Sequence, residues 1–245
     1  MQQYWIPAHV CVCSLPTSTI LLDLARSRYF GIGTQETRAL YTLASNWSVT
    51  HACARTASDC TAEIEPMAPE MAEDIAEALV ASGLLSHDAP SDDAITRRTV
   101  DVDGMLASVG HEFSCATRLR GNHLANFMRA CTWAGRAVRS KKLYWAAREI
   151  SRDKRRATEH VDAERTVELV CIFRRLRSYT FGSRDRCLFH ALSLMRFLAC
   201  YEVFPTWVIG VSSEPWAAHS WVQQGSLILD GTPEQVREYM PILAV

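Results

Sequence analysis

Between Cys187 and Leu229 the chain passes from an apolar helical run to strand-like segments, and this change constrains the fold more than any other feature of the chain. Cys187 opens an apolar run in which Ala191, Leu192, Leu194, Met195 and Leu198 keep helical spacing. Thr206-Trp-Val-Ile-Gly-Val211 then reads as a strand, and Ser220-Trp-Val-Gln-Gln-Gly-Ser-Leu-Ile-Leu229 as a hairpin with Gln224-Gly225 as its two-residue turn. In that register Gln223 faces Ser226, and His219 faces Asp230 on the same side of the ribbon. Their Cα atoms are then expected roughly 4.5–5.5 Å apart. A carboxylate so placed bonds one imidazole nitrogen and leaves the other for a thiol.

A thiol must ionise before it attacks a carbonyl, and a helix N-terminus with a nearby imidazolium favours the thiolate. Cys187 in the first turn of its helix meets the first condition, and His219 can meet the second. Asp230 would fix the imidazole tautomer and stabilise its cation. Cys187 as nucleophile, His219 as base and Asp230 as orienter are therefore the candidate catalytic residues. Other readings stay open. Asp230, followed by Gly231, also suits a strand-ending turn. Cys187, His190, His219 and Asp230 could together bind zinc, although zinc sites usually carry tighter ligand pairs.

The remaining pattern suggests an α+β chain of two units. Val10-Cys-Val-Cys13, Thr19-Ile-Leu-Leu22 and Arg28-Tyr-Phe30 read as short strands, with a turn over 23–27. Residues 34–37 offer a helix N-cap, and Met71, Ile75, Ala78 and Leu79 give an amphipathic helix stopped at Ser82-Gly83. Three small strands followed by helices suggest a winged-helix-like module over residues 1–88. Residues 89–110, with Pro90, Ser91 and a cluster of aspartates, read as a linker leading to a second unit over 111–245. There Leu124, Phe127, Met128, Cys131, Ala134 and Val138 form one helical stripe, and Leu169, Ile172, Phe173 and Leu176 another. A last short helix is expected over 233–240.

Net charge is −1, but residues 1–117 carry 6 Lys/Arg against 15 Asp/Glu and residues 118–186 carry 18 against 7. The basic stretch lies on helices whose other faces are apolar. It reads as a solvated face, or a surface for an acidic peptide, rather than a nucleic-acid stripe. No Gly-rich phosphate loop precedes a helix, so no nucleotide site is expected. No apolar run is long enough to span a bilayer, and no basic n-region with an apolar core opens the chain. Nine cysteines without close paired spacing suit free thiols in a reducing cytoplasm. Cys11 and Cys13, on one side of one strand, read as small hydrophobes.

Cys187-Leu-x-x-Ala-Leu-x-Leu-Met195, Val208-Ile-Gly-Val211, Pro215-Trp-Ala-Ala-His219-Ser-Trp-Val222 and Leu229-Asp230 together resemble the lasso peptide biosynthesis B proteins. These are leader peptidases of the microcin J25-processing type with a transglutaminase-like, papain-like cysteine protease fold. Leu22-Asp23 and Arg28-Tyr29-Phe30 resemble the second and third strands of the precursor-recognition element of the same family, so the chain looks like a fused form. The resemblance implies Cys187 as nucleophile, His219 as general base and Asp230 as orienter, with no cofactor and no metal. The first unit would bind the leader of a ribosomally made precursor by adding it as a strand, and the second would hydrolyse the leader–core bond. A separate ATP-dependent macrolactam synthetase would be the other partner, with neither nucleic acid nor membrane involved and a cytoplasmic setting. The Cys187 backbone N–H is the natural first oxyanion donor; no side-chain donor is identifiable. Two rivals remain: a transglutaminase-type acyltransferase using the same three residues, and a non-catalytic peptide-binding adaptor or DNA-binding regulator.

Overall fold

The computed structural model describes residues 3–15, 18–47, 66–90, 95–102, 104, 106–109, 118–155, 163–178 and 187–245. Residues 184–186 ahead of Cys187, and Ser91, Asp92, Asp93 and Asp103 of the expected linker, lie outside them. Helix and sheet are mixed. Strands β1 (Val10–Ser14), β2 (Thr19–Asp23) and β3 (Arg28–Ile32) form an antiparallel sheet in the order β1-β2-β3, and among the described residues no strand pairs with the outer edge of β3. The β2–β3 turn is built by Asp23, whose Oδ1 accepts the Ala25 and Arg26 N–H groups at 2.9 and 3.0 Å.

Both faces of this small sheet are buried. Val10, Val12 and Leu21 pack with α1 (Thr34–Leu43) and α2 (Pro69–Ser82). Cys11, Cys13, Ile20 and Leu22, one residue out of phase, join the larger core made by the downstream helices. α1 is not capped by a side chain from 34–37. Its cap position is the extended Gly33, whose carbonyl accepts both the N–H and the hydroxyl of Thr37. α2 stops where expected, at Gly83 with φ 76° and its N–H on the carbonyls of Leu79 and Val80. Its buried side is rotated from the expected stripe: Ala72, Ala76 and Leu79 are buried, while Met71 is 59% exposed.

The stretch expected as a linker contributes to the core through Ile95, Val100, Val102 and Val109. Within it, β4 (Ala107–Ser108) pairs in parallel with β7 (Leu227–Ile228), and the Arg98 N–H bonds the Ala244 carbonyl. Helices α3 (Gly121–Arg139), α4 (Leu143–Arg155), α5 (Ala163–Ser178) and α6 (Cys187–Ala199) follow. The second sheet has the order β4-β7-β6-β5-β8, with β5 over Thr206–Ser213, β6 over Trp216–Gln224 and β8 over Met240–Ala244.

The α5 stripe is buried as expected, the α3 stripe only in part. Phe127, Cys131 and Ala134 are buried as expected, but Leu124 and Met128 are about half exposed, and α3 adds His123, Ala130 and Ala137 to its buried face. Small side chains let α3 lie close along α6, so packing overrides the hydrophobicity of single positions. The terminal helix is also shorter than expected. α7 ends at Arg237 after a Thr232–Gln235 capping box, and β8 follows as an edge strand on β5, where Pro241 is tolerated. No helix among the described residues is long and apolar enough to cross a membrane.

Candidate active site

Cys187 is the first residue of α6, a half-buried reduced thiol. The first-turn N–H groups of a helix have no intrahelical acceptor, so the sulfur sits at the positive end of the helix dipole. α6 packs against β6, the strand that carries His219.

The β6–β7 turn lies one place later than expected, which shifts each cross-strand partner by two. Gln223 pairs with Ile228 and Gln224 with Leu227, and the turn residues are Gly225 and Ser226. Gly225 has φ 56°. A type II′ turn asks for glycine at its first central position, so the glycine sets this register. A shift of two keeps every side chain on its face. Asp230 therefore stays on the side of His219, but as a diagonal neighbour rather than the direct partner.

His219 is half-buried, paired through the backbone with Gly210 of β5. Its ring stacks on Trp221 at 6.0 Å and lies 5.2 Å from the Tyr239 ring. Its Nε2 is sealed from solvent and has no hydrogen-bond partner among the described residues. Burial pushes the imidazole below the ordinary histidine value, and the charge of Asp230 opposes that shift.

Asp230 does not bond His219 here. Its Oδ1 accepts a charge-assisted hydrogen bond from Arg177 Nη1 at 3.0 Å, and the carboxylate reaches the ring only through its field. Arg174, one turn earlier on α5, donates from Nη2 to the Leu229 carbonyl at 3.0 Å and from Nη1 to the Val109 carbonyl. Sequence reasoning missed both arginines because they read as part of a solvated basic face. Their i,i+3 spacing beside the apolar stripe was the only local signal.

The first sheet also reaches this region. Tyr29 of β3 meets Trp216 of β6 edge-on at 5.4 Å, three residues before His219. Its phenol is pushed up to about 12, chiefly by burial and then by the charges of Cys187 and Cys11. Cys187, His190, His219 and Asp230 are not gathered into a metal-holding group. What remains is a thiol at a helix start, an imidazole with an unpartnered nitrogen, and an anchored carboxylate. No hydrogen bond joins Cys187 to His219. These are the group types that nucleophilic acyl transfer uses.

Residues 124–244 match the family model described as Transglutaminase-like superfamily, which includes cysteine peptidases and acyltransferases. No curated protein and no solved structure matches the chain. The matched span starts in α3, ends with β8, and holds Cys187, His219 and Asp230 together with Arg174 and Arg177. With that match added to the helix–strand arrangement around the thiol, residues 124–244 are a transglutaminase-like superfamily domain.

Proposed function

We propose that this chain is a leader peptidase of the lasso peptide biosynthesis B type, with a winged-helix-like recognition module fused to its peptidase domain. The observation that carries the reading is the contact of Tyr29 with Trp216. Tyr29 lies on the strand whose outer edge has no partner among the described residues, and a leader added along that edge would arrive beside the thiol. His219 takes the Cys187 proton as the sulfur attacks the scissile carbonyl. The Cys187 N–H at the start of α6 stabilises the oxyanion, with Asp230 orienting and supporting the imidazolium. His219 then protonates the departing core amine, and water hydrolyses the thioester. The freed amine is the group that a partner ATP-dependent macrolactam synthetase would close into a ring, with both proteins in the cytoplasm.

The test is incubation of precursor peptide with the full chain and with Cys187→Ala, followed by mass spectrometry. Two fragments from the parent and a loss of several orders of magnitude in the variant are expected. Cleavage at the parental rate by Cys187→Ala would end the mechanism. The superfamily match equally suits an acyltransferase. A cross-linked or ammonia-loss product, in place of two fragments, would assign the chain to that class.

A further inference from the structure

The proposed chemistry leaves the two guanidiniums at the end of α5 without a role, yet they make the main polar contacts of the loop that carries Asp230. β7 ends at Ile228, so no strand pairing holds Asp230, and Gly231 follows with φ 117°. On one side the loop is tied by the Leu229 N–H on the Val222 carbonyl at 2.8 Å. Arg174 grips the Leu229 and Val109 carbonyls together, joining the loop to the residue after β4. Arg177 then takes the carboxylate itself. The Arg177 side chain is 27% exposed and that of Asp230 16%. The pair is partly desolvated, so it restrains geometry more than an exposed ion pair does.

We propose that Arg177 is the positioning residue of the candidate triad, anchoring the Asp230 carboxylate beside the His219 ring while Arg174 fixes the backbone around it. The inference rests on the catalytic reading of Cys187, His219 and Asp230. With Oδ1 held by Arg177, Oδ2 is the oxygen left to accept a bond from His219 when substrate binds. The Arg177 cation also offsets part of the Asp230 charge felt by the imidazole. Among the described residues, Arg174 and Arg177 face Asp230 from α5, and Tyr239 faces His219. α6, packed on β6, brings Cys187 and His190 in its first turn.

The experiment compares the full chain with Arg177→Gln and Arg177→Lys. The His219 ring is titrated by NMR, its resonance identified by its absence in His219→Gln. Loss of the cation in Arg177→Gln should raise the imidazole midpoint by about half a unit. It should also lower kcat about tenfold or more with little change in KM. Arg177→Lys, which keeps the charge, should leave the midpoint in place and recover much of the rate. An unmoved midpoint in folded Arg177→Gln overturns the assignment, as does equal loss of rate in both variants. Should Arg177→Gln fail to fold, Arg177→Lys decides alone: a shifted midpoint, or a complete loss of rate in a folded protein, overturns the proposal. The titration needs no substrate. A parent protein that leaves the precursor uncut would therefore defeat the peptidase reading without touching the Arg177 result.

Discussion

A methyl group added at Gly210 would lie 2.8 Å from both the Trp221 ring and the Tyr239 Cβ, and one of them would have to move. Those two side chains are the ones packed on His219. Gly210→Ala should cost about 1–3 kcal/mol of stability by overpacking, and should depress cleavage further by displacing the imidazole. Urea denaturation and a cleavage assay on the same preparation separate the two effects. Lys154 offers a residue-scale test of pH dependence. Burial, followed by the charge of Arg98, pushes its amine down to about 7 from 10.5, while Nζ donates to Thr206 Oγ1 at 3.2 Å. The folded state therefore binds fewer protons than the unfolded one between those values. Stability should rise with pH from 7 toward 10.5 and be reduced below that window. Lys154→Met should stabilise the chain by about 2 kcal/mol at pH 7, discounted for partial solvation, with the gap to the parent narrowing by pH 10. At this scale the helix start at Cys187 was legible, because an apolar run with helical spacing opens there. Arg177 was not: it lies 53 residues from Asp230 and resembles every other arginine in a basic stretch.

The hydrophobic stripe of a helix can mislead when small residues do the packing. α3 turns Ala130, Ala134 and Ala137 inward against α6 and leaves Leu124 and Met128 at the surface. Ala130→Leu should cost about 1–3 kcal/mol, because no space exists for three more carbons at a position with no exposed surface. Leu124→Gln should stay within about 0.5 kcal/mol of the parent. Urea midpoints for the two variants check the orientation of the whole helix. The strands were easier to read, since a short apolar run such as β5 survives any error in its ends. The hairpin register still slipped by two residues, because Gln224-Gly225 and Gly225-Ser226 both contain an acceptable turn glycine. β8 escaped notice altogether: Pro241 argues against a strand unless the strand is known to lie at an edge.

Across the whole molecule, the first sheet is tied to the helices by more than apolar contact. The Tyr144 N–H bonds the Leu24 carbonyl at 3.1 Å, Ser27 Oγ donates to the Lys141 carbonyl at 2.9 Å, and Arg97 Nη2 reaches the carbonyls of Ala8 and Val10. On the proposed function, Tyr29→Ala should leave leader affinity within about twofold and lower kcat/KM about tenfold, since it removes the junction and not the open edge. Fluorescence polarisation with labelled leader and a cleavage time course give the two numbers. Equal losses in both would make Tyr29 a recognition residue alone. The charge division between residues 1–117 and residues 118–186 was visible in the sequence, but the docking was not, because alternating burial on two faces looks like any apolar strand.

That double burial limits how such a protein can be divided. A polypeptide made of the first three strands with α1 and α2, released on its own, would show water the sulfurs of Cys11 and Cys13 and the branched side chains of Ile20 and Leu22. Any ancestor or descendant that keeps this sheet as an independent molecule must therefore carry polar side chains at those four places, or never be without a mate.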